Sequence, residues 1–273
     1  MHPRIRNANM HGMNSRVAQF LCLLIFTPVA LAAGDNDQRR FTGPQDVATI
    51  LAHVDQARQE ARDQGKLLMV VLGADWCHDS RAFIDFLEDP EFAALVDERY
   101  RVVTVNIGFY DNVRGVVSAW SLPIIYGTPT VIVEEPVSGV ILNMNTLPSW
   151  RNAHALGVSV AVEYFDAFAP GLPPAKTKPS ANLAQALASI DDFERSQAER
   201  IYAAYAILGD MIRELGDERP GADFNDKWDN LAFMRGRITR DLAALREAAR
   251  SLDAAGERDI QLEFPHYDLF IDP

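Results

Sequence analysis

Cysteine is almost absent from this chain: there are two in 273 residues, Cys22 and Cys77. Cys22 lies in an apolar stretch near the start that is expected to be removed, which leaves Cys77 alone. A single thiol excludes an internal disulfide framework and puts the whole burden of stability on packing. Basic charge is also scarce, with 26 Lys and Arg against 38 Asp and Glu and a net charge of −12. That balance argues against nucleic acid as a partner, because phosphates select basic surfaces, and against an anionic lipid surface. Long apolar runs are missing too. The longest, Val17 to Ala32, is broken by Gln19, Thr27 and Pro28 and is too short to cross a bilayer comfortably.

What is present near the start reads as a targeting segment. Arg4, Arg6 and Arg16 precede the apolar run, and Ala30-Leu31-Ala32 supplies the small-x-small pattern of a cleavage site. Residues 1–32 are therefore expected to be a signal peptide, with Met13 as an alternative start and a retained anchor as the competing reading. Cleavage removes three arginines and no acids, so the mature charge becomes about −15. Cys22 sits inside the run, not after small residues at its end, so it is not expected to carry lipid. The expected location is periplasmic or secreted, with no stable membrane insertion after cleavage. Residues 33–43 are polar and expected to be flexible.

The centre of the chain is Lys66 to Phe86. Leu67 to Leu72 are six consecutive apolar residues, as in a strand buried on both faces. A short turn, Gly73-Ala74-Asp75, leads to Trp76-Cys77 and then to a helical pattern. A sulfur at a helix start meets unpaired backbone N–H groups and the positive end of the dipole, which favour an anion. His78, when protonated, acts in the same sense, while Asp75 and Asp79 oppose it. About fifty residues on, Gly127-Thr128-Pro129-Thr130 enters the strand-like Val131-Ile132-Val133. A proline just ahead of a buried strand points to a cis bond.

These two motifs, W-C-x-x-S after an apolar strand and G-T-P-T before another, resemble those of the thioredoxin superfamily. The resemblance covers about residues 44–169 and implies a three-layer α/β/α domain in β-α-β-α-β-β-α order. It implies that Cys77 is the attacking sulfur, and that Thr128, beside Pro129, offers its backbone to an extended substrate segment. Trp76 would shield the sulfur. The chain departs from the family in two places. Ser80 stands where the resolving cysteine would be, so ordinary dithiol turnover is excluded; a hydroxyl can hydrogen-bond a sulfur one turn back but cannot displace one. Val71 stands where the family has a buried acid.

Within the domain, Pro44 suits a first helical position, with Val47, Ile50, Leu51, Val54 and Ala57 following at helical spacing. Asp89 and Pro90 read as N-cap and N1 of a further helix, Val131 to Leu142 as a hairpin turning at Ser138-Gly139, and Trp150 to Phe168 as a closing helix. A Pro-rich linker spans 170–181. Residues 182–257 then form a helical hairpin, with Phe224, Leu231, Ile238, Leu245 and Leu252 recurring every seven residues and Arg235 interrupting the other seam. Leu187, Ile201, Leu208 and Leu215 answer in the first helix. The hairpin either packs on itself or on the domain, or serves as a dimerisation or partner-binding arm. Asp191, Asp192 and Glu194 are expected to face solvent, and 258–273 is a tail.

No cofactor is expected. Copper held by Cys77 and His78 would need a third ligand, and neither His53 nor His154 can be placed there from sequence, so no metal site is expected. Two functions remain. One is an exported monothiol oxidoreductase that forms mixed disulfides through Cys77 with protein or small-molecule thiols and disulfides and is released by an external thiol. The other is a redox-silent scaffold that binds a partner through the groove near Pro129 and the hairpin.

Overall fold

Every residue of strand β1, Leu67–Gly73, is buried, and the alternation of its side chains organises the molecule. Leu68, Val70 and Leu72 enter one core, while Leu67, Met69 and Val71 enter another on the opposite face. In this computed structural model the described residues are 41–42, 46–171, 178–216 and 218–268. The expected signal peptide with its cleavage point, Pro44, the end of the tail and the middle of the Pro-rich linker lie outside them.

β1 pairs in parallel with β2, Tyr100–Asn106, with Leu67 opposite Tyr100. It pairs antiparallel with β3, Thr130–Glu135, and β3 pairs with the short β4, Val140–Ile141. The strand order is β2-β1-β3-β4. One face of the sheet carries α1, Val47–Gln64, and α4, Val113–Val117. The other carries α2, His78–Glu88, α3, Pro90–Arg99, and α5, Val158–Asp166, which meet in an aromatic layer of Phe83, Phe92, Trp150 and Phe165. The aromatic pairs lie mostly edge to face, as between Phe83 and Trp150 at 5.3 Å.

Local chemistry sets the helix ends. α1 begins at Val47, where Asp46 accepts from the Thr49 N–H at 3.0 Å, and it stops at Gly65, whose φ of 65° opens the left-handed exit. Asp89 closes α2 and opens α3, as expected. Its Oδ1 accepts from the N–H groups of Glu91 at 2.9 Å and Phe92 at 3.4 Å, with Pro90 at the first helical position. Asp89→Ala removes that cap and is expected to cost about 1 kcal/mol in urea unfolding, whereas Asp89→Asn keeps most of it. Equal midpoints for Asp89→Ala and the parent would show that the cap contributes nothing.

The closing helix differs from the expectation over 150–168. A 3-10 segment, Met144–Ala155, comes first, with Pro148 inside it and Asn152 non-helical, and α5 starts only after Gly157. The non-helical backbone at Asn152 and the extended Gly157 break what the apolar spacing alone reads as one helix.

The two long helices are α6, Ala181–Leu215, and α7, Ala222–Ala254. Ile201, Leu208, Leu231, Ile238, Leu242 and Ala249 are buried, and they share one apolar cluster with α1, α4 and that face of the sheet. The hairpin thus packs both on itself and on the domain. Glu194 corrects the expectation that this acidic stretch faces solvent. It is buried, accepting from the Tyr126 hydroxyl at 2.9 Å and pairing with Arg246 of α7. The tail docks on the hairpin through Tyr267, which is buried and donates to Asp241 at 2.7 Å. Among the described residues no helix is long and apolar enough to cross a membrane.

Candidate functional site

Cys77 is the N-cap of α2, with extended backbone at φ −87° and ψ 119°. Its N–H donates to the Ala74 carbonyl, and its own carbonyl accepts from the Arg81 N–H, both at 3.1 Å, so turn and helix fix the residue from both sides. The sulfur faces the loop before β3. The Thr128 hydroxyl donates to Sγ at 3.1 Å, and the thiol donates to the Thr128 carbonyl at 3.4 Å. The Thr128–Pro129 bond is cis. Strand β1 delivers the cysteine and strand β3 the Thr128-Pro129 loop to the same end of the sheet.

Ser80 is fully buried, and its hydroxyl accepts from the Ala74 N–H at 3.4 Å. Thr128 provides a hydroxyl contact to the sulfur of the kind that spacing makes possible for Ser80. Cys77 and Thr128 are each only 5% exposed. Trp76, the neighbour of the cysteine, ties this turn to the loop after β2 and to the hairpin. The Trp76 Nε1–H donates to the Gly108 carbonyl at 2.8 Å, and its ring packs on Tyr110 at 5.2 Å and on Trp228 of α7 at 6.2 Å.

Next to the Trp76 ring lies a layer that the sequence does not reveal. Tyr110 stacks flat on Tyr205 of α6 at 3.9 Å, and burial holds the Tyr110 hydroxyl well above its ordinary pKa. Tyr110 has a φ of 70°, a conformation that a bulky residue keeps only where packing fixes it. The Arg235 guanidinium lies among aromatic rings, 5.7 Å from Tyr205 and 5.6 Å from Trp228, and donates to the Tyr205 hydroxyl at 3.3 Å. Arg235 is buried, and among the described residues no carboxylate pairs with it. Ring faces and the hydroxyl offset part of its desolvation. Nearby, burial and the charge of Arg235 push the Arg151 guanidinium below its ordinary pKa. The one sequence signal for this layer is the arginine that interrupts the seam of α7.

His78 points toward His154 of the 3-10 segment, with Nε2 3.0 Å from His154 Nδ1. The buried Asp79 carboxylate accepts from the His154 backbone N–H at 3.0 Å and lies 2.6 Å from its Nδ1. His154 cannot be placed by pattern because it is 75 residues from Asp79.

A sheet of this order with a cysteine at the start of α2 and a cis-proline loop beside it defines a thioredoxin-like α/β domain, here followed by two C-terminal helices. Residues 49–134 match the family described as thioredoxin-like. Among solved structures, a disulphide isomerase from Xylella fastidiosa Temecula1 is similar at 25% identity, over 45% of this chain and 93% of that one, with a TM-score of 0.41. No curated protein matches.

Proposed function

We propose that the protein is an exported monothiol thiol–disulfide oxidoreductase acting through Cys77. The sulfur attacks one sulfur of a substrate disulfide. A Cys77–substrate disulfide forms, the substrate's own S–S bond breaks, and the departing thiolate takes up a proton. With Ser80 unable to resolve it, an external thiol attacks the mixed disulfide, leaves with the substrate sulfur and returns Cys77 to its reduced form. The observation that carries this reading is the position of Cys77 at the N-terminus of α2 with Sγ against Thr128. Export rests on the first 32 residues of the sequence. Attack requires the buried sulfur to become exposed.

Incubation of the mature chain, residues 33–273, with excess glutathione disulfide is expected to give one adduct by intact mass, mapped to Cys77 and absent in Cys77→Ser. An unmodified native protein after prolonged incubation would end the monothiol reading. The burial of Cys77 and Thr128 favours a second reading, a redox-silent scaffold. On that reading Cys77→Ser changes no interaction and the parent takes up no glutathione.

A further inference from the structure

We infer that His78, Asp79 and His154 form a binding site for a divalent transition-metal ion of the zinc class, built on the first turn of α2 next to Cys77. Three ligand groups from two elements converge there. His154 Nδ1 lies 2.6 Å from Asp79 Oδ1 and 3.0 Å from His78 Nε2, and His78 Nε2 lies 3.3 Å from Asp79 Oδ2. Donor atoms around a tetrahedral ion with bonds of about 2.0–2.1 Å stand about 3.3 Å apart, so these atoms need to move only tenths of an ångström to share one.

Hydrogen bonds alone serve this triangle poorly. If each imidazole points a proton at Asp79, one at Oδ1 and the other at Oδ2, the two ring nitrogens meet as facing donors. If one ring nitrogen gives up its proton to accept from the other, it presents a lone pair to the carboxylate. A cation at the centre lets both rings turn bare nitrogens inward and satisfies the carboxylate as well. The Asp79 side chain is 9% exposed and is held by the His154 backbone N–H, the kind of support that fixes a ligand's orientation.

Two imidazoles and one carboxylate suit zinc and its neighbours better than calcium or magnesium, which prefer all-oxygen shells. The imidazoles are 58% and 49% exposed, which leaves the outer side open for water or a substrate atom. The positive end of α2 opposes a cation, and the Asp79 charge offsets it. The acidic chain, at −12 overall, attracts cations to its surface.

The test uses the full chain stripped with chelator and titrated with Zn²⁺ by calorimetry, with thermal unfolding read in parallel. One ion per chain is expected, with a dissociation constant of about a micromolar or tighter. His78→Ala and His154→Ala are each expected to weaken binding at least ~10-fold and to remove the rise in unfolding temperature that Zn²⁺ gives the parent. Both side chains are about half exposed, so both variants should fold. Cys77→Ser is expected to bind zinc as the parent does, which keeps this result separate from the thiol chemistry. No binding at about 100 µM Zn²⁺, or full binding retained in both histidine variants, would overturn the proposal.

Discussion

Ser80→Cys is expected to acquire an internal disulfide with Cys77 and to reduce insulin at least ~10-fold faster than the parent when a dithiol is supplied. Residue 77 is the N-cap of α2 and residue 80 its third helical residue. The Arg81 N–H on the Cys77 carbonyl at 3.1 Å closes the turn between them. One helical turn brings two Cα atoms within the roughly 4.4–6.8 Å that a disulfide spans. The site is tight: a Cβ built on Gly73 would stand 2.8 Å from the Ser80 hydroxyl. With both thiols reduced, Ser80→Cys is therefore expected to lower stability by about 1 kcal/mol or more, and oxidation should recover part of it. Cys77→Ser should abolish both the disulfide and the activity while leaving the far-ultraviolet spectrum unchanged. Absence of both the internal disulfide and the gain would mean that more than a missing sulfur separates this site from a dithiol one, and the monothiol reading would fall with it.

Gly209→Ala is expected to destabilise the protein although it replaces glycine by the best helix former. Propensity alone predicts a gain of about 1 kcal/mol in the middle of α6. The built Cβ, however, lies 2.1 Å from the carbonyl oxygen of Phe109, a backbone atom with no rotamer to give way. Overpacking of that kind costs about 1–3 kcal/mol, and the contact here is severe enough to put the change at the upper end. The melting temperature should fall by roughly 5 °C. Because Phe109 precedes the Tyr110–Tyr205 stack, the shift should also loosen α7 over Trp76. Iodoacetamide should then modify Cys77 faster than in the parent. Unchanged or increased stability would show that α6 and the Phe109 loop slide past each other without loss. Unchanged labelling would show that the hairpin does not gate the sulfur.

The sheet and its motifs are readable because each is written locally. Six apolar residues ending in a turn mark β1, Asp89-Pro90 marks the break between two helices, and Thr128-Pro129 marks the loop beside the cysteine. The long helices are legible from their heptads, since Ile201 and Leu208 of α6 and Leu231, Ile238 and Leu245 of α7 are buried in one cluster. What cannot be read depends on contacts between distant segments. Glu194 looks like a surface acid in its own helix and becomes buried because Tyr126 and Arg246 reach it. His154 meets His78 only because the 3-10 segment folds against the start of α2. By spacing Ser80 can hydrogen-bond the sulfur, while the hydroxyl contact from Thr128, delivered by another strand, has no sequence signal of that kind. Apolar spacing alone predicts one helix across 150–168, whereas the backbone kinks at Asn152 and restarts only after Gly157.

The shared core of sheet and hairpin also sets an order of events during synthesis. Residues 107–126 form an apolar layer whose partners, Ile201, Tyr205 and Leu208 among them, belong to α6, and α6 is in turn braced by Leu231, Ile238 and Leu242 of α7. A nascent chain emerges from its N-terminus, so the strands and the cysteine loop are complete well before their cover exists. Until α7 has been made, Tyr110 and Tyr126 face solvent or a chaperone. Translation stalled at the Pro-rich linker would release a domain with one face bare, prone to self-association.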